Sequence, residues 1–307
     1  MKYKNIKALL YQNAHMIRSS KLQEICSLIE ARSDEEYIDD YEAAVEQPVT
    51  QFVSAVSGQL MGPKREPKEG GNLIAVVPLF GTMMQHSLVH DASGGTSTEQ
   101  LSEELRRLDS DPQIGSVVME VHSPGGQVYG AFELAQQVRD MRTRVVTVAN
   151  SEMASAALLV GTSADEVFAT TGGAVGSIGV VTVHSDVSRA EEASGVKTTV
   201  IAEPPAKASG NPFEPLSEES LREMKADVRN TYVRFRDFVA ANRGVTAELV
   251  ESDFGSGRML NAREAADVGL IDGIRSKHSV IERERSLLAG SRGNSNANRL
   301  KLGKMSP

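Results

Sequence analysis

The chain has 307 residues, of which 40% are hydrophobic and 24% charged, with a formal net charge of −8. This is the composition of a soluble globular protein, and the acidic balance gives no general footprint for nucleic acid. The single cysteine, Cys26, excludes an internal disulfide and any metal site built on several cysteines. No metal and no cofactor is expected.

The N-terminus is basic, but only Ala8-Leu9-Leu10 follows as an apolar run, too short for a signal-peptide core. No stretch approaches the roughly 18–20 apolar residues that span a bilayer, so the chain reads as cytoplasmic and membrane-free. Residues 1–70 form an extension: Leu22, Ile25, Cys26 and Ile29 recur at helical spacing, and an acidic run from Asp34 to Glu42 follows. The segment from Gly62 to Gly71 is a linker by composition.

A compact domain is predicted over 71–280. Leu73–Phe80 is a buried strand closed by Gly81, and Met83–Gly95 reads as a mobile loop. Ser97 and Gln100 form a capping box for a helix with Leu101, Leu105 and Leu108 on one face. The run from Ile114 to Val121 is apolar without strict alternation, as in a strand of a parallel sheet covered on both faces. Ser123-Pro124-Gly125-Gly126 then leads to a helix over 128–142 and a strand at Val145.

Further strands are predicted at Val167–Ala169, through Val183, and from Lys197 to Ala202. Ser217 to about Asn242 is an amphipathic helix with Leu221, Met224, Val228, Val233, Phe235 and Phe238 as core candidates. Asn261 and Glu264 cap a short helix that stops at Gly269. Residues 281–307 read as a flexible basic tail, disordered from Ser291.

The stretch Asn150–Leu159 organises the rest. An apolar strand ends there and a run of helix formers begins. A serine at such a junction has unpaired helix N–H groups and the positive end of a helix dipole beside it. Ser155, flanked by Ala154, Ala156 and Ala157, is the candidate nucleophile. The N–H groups of Gly126 and Ala156 are candidate oxyanion donors, worth about 3–4 kcal/mol each in measured enzymes. Strand edges near Gly125 and Val180 are candidate sites for an extended polypeptide added as a strand.

Two bases are candidates. His184 and Asp186, at i and i+2 on a strand, permit a Ser–His–Asp triad. Lys207 has uncharged neighbours in Pro204, Pro205, Ala206 and Ala208, and a lysine acts as base once burial disfavours its charged form.

Four motifs in order, Ser-Pro-Gly-Gly, Met-Ala-Ser-Ala-Ala, Gly-Ser-Ile-Gly-Val and Lys-Ala-Ser-Gly-Asn-Pro-Phe, resemble the signal peptide peptidase A family of serine peptidases over about 73–280. The resemblance implies an α/β, ClpP/crotonase-like fold of repeated ββα units, here with a helical N-terminal extension. It implies a Ser–Lys dyad of Ser155 and Lys207, 52 positions apart, with Ser177 orienting the lysine and Gly126 and Ala156 as the oxyanion donors.

With no membrane anchor in the sequence, the chain resembles the phage head-maturation branch. That branch implies a homo-oligomeric protease in the host cytoplasm or procapsid interior, acting on scaffold, portal or capsid proteins or on itself. A soluble bacterial peptidase of the same family, a crotonase-like acyl-CoA enzyme and a capsid-assembly protein with a vestigial site are the alternatives.

Overall fold

The computed structural model describes residues 15–18, 21–23, 49–61, 73–86 and 95–302. The chain runs β1 (His15–Ile17), β2 (Gln51–Ser54), β3 (Leu60–Met61), β4 (Leu73–Phe80), β5 (Thr82–Met84), β6 (Gly95–Ser97), α1 (Thr98–Ser110), β7 (Ile114–Ser123), β8 (Gly125–Gln127), α2 (Ala131–Asp140), β9 (Arg144–Ala154) and α3 (Ala156–Gly161). Then follow β10 (Glu166–Ala169), β11 (Ala174–Gly176), α4 (Ser188–Ala193), a 3-10 turn (Pro205–Ala208), α5 (Glu218–Arg243), α6 (Ala247–Asp253), β12 (Met259–Asn261), α7 (Ala262–Asp267), β13 (Gly273–Ile274) and α8 (Lys277–Leu302).

The large sheet has the order β12-β11-β9-β7-β4-β2-β3, with β10 joining β9 to β13. Strands β4, β7, β9 and β10 are parallel neighbours. Their apolar runs are continuous because both faces are covered. Period-two alternation divides them: Ala75, Val77, Leu79, Val117, Met119, Val121, Val145 and Ala149 pack on the side of α1, α2, α3 and α5. Ile74, Val76, Val118, Val146 and Val148 pack with Val280 of α8 on the other. The passes β4-β5-β6-α1 and β7-β8-α2 repeat one pattern, and their short strands β5, β6 and β8 join β1 in a second sheet of order β1-β8-β5-β6.

Several sequence expectations change. Thr82–Met84 and Gly95–Ser97 pair as parallel strands at the ends of the predicted loop. Of the Val180–Val183 run, Val181 makes one isolated bridge, and no strand forms over 196–202. A β-prone run without a neighbouring edge has no partner for its N–H and C=O groups, so it stays irregular and exposed. The core of α5 is its C-terminal half, with Phe235, Val239 and Ala240 buried, whereas Leu221 is exposed.

α8 runs to Leu302, where a disordered tail is expected from Ser291. Val280, Ile281 and Leu288 seat this helix on the sheet. Of the predicted N-terminal helix only residues 21–23 are described, and they are helical. The acidic run and the 62–71 linker lie outside the described residues.

α8 is also held by an ionic cluster on that face. Glu284, 1% exposed, accepts from Ser116 Oγ (2.8 Å) and Arg144 Nε (3.1 Å). Arg283 donates to Glu166 Oε1 at 2.8 Å, and Arg144 pairs with Glu166 as well. Burial opposes ionisation of Glu166, but hydrogen bonds from Arg283 and the charges of Arg144 and Arg283 outweigh it and hold its carboxyl below the usual range. Its stabilising effect is therefore full above the ordinary carboxylate range and is lost as pH falls from that range through the lowered value. Glu284→Ala should cost about 2 kcal/mol, less than a fully buried pair because Arg144 keeps Glu166. A lowered urea midpoint at unchanged slope measures it.

Candidate active site

The site lies at the carboxyl ends of β7 and β9, where open parallel sheets place ligands. Ser155 separates Ala154, the last residue of β9, from Ala156, the first of α3. Its backbone sits at φ 54° and ψ −116°. An L-residue holds such a conformation only when its surroundings impose it, at about 1–3 kcal/mol. Here Ser155 N–H donates to Gly176 O (2.9 Å) and Leu159 N–H donates to Ser155 O (3.0 Å). Ala154, Ala156 and Ala157 are fully buried around it.

The glycine motif meets the serine directly. A Cβ on Gly125 would stand 2.3 Å from Met16 O and 2.9 Å from both Ala154 O and Ser155 Cβ, and its φ is +93°. Only glycine lets β8 come this close. Gly126 is equally tight, since a Cβ there would stand 1.9 Å from Met83 O. Ser123 Oγ donates to Gly81 O (2.6 Å) and accepts from Gly125 N–H (3.2 Å), fixing the turn between β7 and β8. Ala156 N–H precedes the first main-chain bond of α3, as expected of a helix start.

The structure thus brings Ser155, Gly125 and Ala156 together, with Gly126 next in β8. Ser177 lies just beyond β11, buried and at φ 57°, its N–H donating to Arg258 O (2.8 Å). Among the described residues neither candidate base is hydrogen-bonded to Ser155. The Ser155 hydroxyl contacts Gly179 O at 3.4 Å. Lys207 sits exposed on the 3-10 turn, with no hydrogen bond to Ser155. Neither does His184 bond to Ser155. His184 lies in irregular chain rather than a strand, and its buried Nε2 has no partner among the described residues. Asp186 is exposed and accepts from Ser188 N–H (2.9 Å), so the two do not form a relay.

The edges at Gly125 and Val180 are not open as expected. β1 pairs with β8, Ile17 opposite Gly125 and Met16 opposite Gly126, and His15 bridges Val181. Nothing in the local pattern of the His15–Ile17 stretch marks it as a strand. Val180 instead lines a groove of about 890 Å³ with Ile178, His184, Leu221, Met224 and Tyr232. Among the described residues no group of three or more His, Cys, Asp or Glu could hold a metal ion, and no helix is long and apolar enough to cross a membrane.

Ser155→Gly should remove the backbone strain and raise stability by about 1 kcal/mol, while Ser155→Ala keeps the strain and should not. For a chain of this size that is roughly 2–3 °C in Tm, read by calorimetry.

Residues 80–175, which carry β5 to β11 and the Ser155 junction, match the Clp protease family, and the fold is ClpP-like. A ClpP1 mutant from Listeria monocytogenes superposes with a TM-score of 0.45 at 16% identity, covering 67% of this chain and 94% of that one. Capsid assembly protease C of Escherichia phage lambda is 29% identical, over 78% of this chain and 56% of its own length. An SppA-type signal peptide peptidase assigned in Enterococcus faecium is 28% identical over 58% of this chain and 53% of its own. Protease 4 of Haemophilus influenzae is 24% identical over 71% and 35%. The chain spans about half the length of the lambda and Enterococcus relatives. Residues 137–290, half of the chain, match Peptidase family S49. The chain belongs to that peptidase family.

Proposed function

We propose that the chain is a serine endopeptidase in which Ser155 is the nucleophile and Lys207 the general base. The observation that carries this reading is the strained Ser155 at the mouth of α3 with Gly125 against its Cβ. Lys207, uncharged, takes the Ser155 proton. The alkoxide attacks a peptide carbonyl, whose oxygen settles between the N–H groups of Gly126 and Ala156. The protonated Lys207 gives its proton to the leaving amine. Water, deprotonated by the same lysine, then releases the acyl group. Ser177 orients the lysine.

The dyad requires the Lys207 loop to be covered, because an ammonium group bathed in water keeps its proton at neutral pH. The arm that carries it exposes Val187, Val196, Ile201 and Phe213, with Ile201 at 93% exposure. A second copy of the chain covers this apolar arm and brings Lys207 to the Ser155 of a neighbour. Such an arm is out of place on a monomer. The substrates are polypeptides of a phage procapsid: scaffold, portal or capsid protein, or the chain itself. Supporting this is the lambda capsid assembly protease, which matches more of the chain than the signal-peptide-peptidase relative does.

Ser155→Ala and Lys207→Ala should each lower kcat by about 10⁴-fold or more, with far-UV circular dichroism unchanged. Mixing the two inactive chains should restore cleavage of a procapsid protein, followed by gel and mass spectrometry. Full turnover by Lys207→Ala refutes the dyad. A mixture that stays inactive refutes its assembly across copies.

A further inference from the structure

The strand beside Ser155 belongs to the chain itself. His15, Met16 and Ile17 are buried, Met16 completely. On one side His15 N–H donates to Val181 O (2.8 Å) and Val181 N–H donates to His15 O (2.9 Å). On the other, Arg18 N–H donates to Pro124 O at 2.9 Å, with Ile17 opposite Gly125 and Met16 opposite Gly126. In an antiparallel ladder the bonded pairs recur every second residue. After Arg18 and Pro124, the next pair is Met16 and Gly126, so Met16 turns its carbonyl toward the Gly126 N–H.

Met16 O and Ser155 Cβ both lie within 3 Å of the position a Gly125 Cβ would take. Arg18 Nη1 adds an ion pair with Glu152 Oε2 at 3.3 Å, three residues before the nucleophile. The segment thus lies between two edges as an added strand, main chain to main chain, with one carbonyl at an oxyanion donor and beside the serine.

We propose that His15–Ile17 is a built-in occupant of the substrate cleft, bound as a substrate strand with Met16 at the position of the residue whose carbonyl is attacked, so that other polypeptides must displace it. This rests on the peptidase reading for Ser155. An occupant of this kind reduces apparent affinity by the fraction of time the cleft is free and leaves the chemical step alone. If the bond presented is itself cut, water adds across Met16–Ile17 and leaves a Met16 carboxylate and an Ile17 amine.

The test uses the full chain and two variants outside the catalytic machinery. Met16→Pro removes an N–H that faces β8, and Arg18→Glu sets like charge against Glu152. Hydrogen exchange at the Val181 amide, read in the Ser155→Ala background, reports occupancy without any cleavage. Cleavage of unfolded casein by the active chains reports competition. Expected is a protected Val181 amide that exchanges at least about tenfold faster in both variants, with KM for casein about tenfold lower and kcat unchanged. A Ser155-dependent product beginning at Ile17, seen by intact mass, also supports the proposal.

A Val181 amide that exchanges as fast in the parent chain as in the variants overturns it and leaves the peptidase reading standing. Equal KM in all active chains overturns the competition. If Val181 behaves as expected but no chain cleaves casein or any procapsid protein, the peptidase reading fails instead.

Discussion

The site depends on one close contact, that between the glycine turn after β7 and the serine after β9. Two parallel strands end side by side, and each feeds a structure that must bend away at once. Gly125 takes a left-handed backbone and Ser155 a strained one. With no Cβ on Gly125, β8 and the Ser155 junction come closer than any side chain there would allow. Any side chain at Gly125 forces the strands apart, so the glycine turn and the Ser155 junction keep their places together.

The rest of the fold makes that contact rigid. Apolar side chains lock the parallel strands from both faces, α1, α2, α3 and α5 on one and α8 on the other. The strain at Ser155 persists because β11 and α3 hold its N–H and C=O from opposite sides. The ionic cluster of Glu284, Arg144, Glu166 and Arg283 ties α8 to β7, β9 and β10 behind the site.

The cleft and the arm beyond it differ in kind from this frame. The cleft edges of β8 and Val181 are paired, but with the chain's own β1. The arm from Val187 to Phe213 bonds mainly within itself, through α4 and the 3-10 turn, and shows apolar side chains to solvent. The Lys207 turn belongs to this arm and is organised by Pro204 and Pro205 rather than by the site. The frame that holds Ser155 and the loop that carries Lys207 are thus separate structural parts.

The sequence by itself determined the local pieces. The β4, β7 and β9 runs, the Ser97 cap, the strand-to-helix junction at Ser155 and the glycine turn before α2 all follow from neighbours a few residues apart. Side-chain period, capping and glycine freedom act at that range. Only the tertiary structure decided that His15–Ile17 lies in the cleft, that 196–202 forms no strand, and that α8 covers the back of the sheet. Each of these turns on pairing or burial against residues far away in the chain. A β-edge accepts whichever strand reaches it, and an apolar run becomes a strand only where an edge awaits it. Neither fact is written in the run itself.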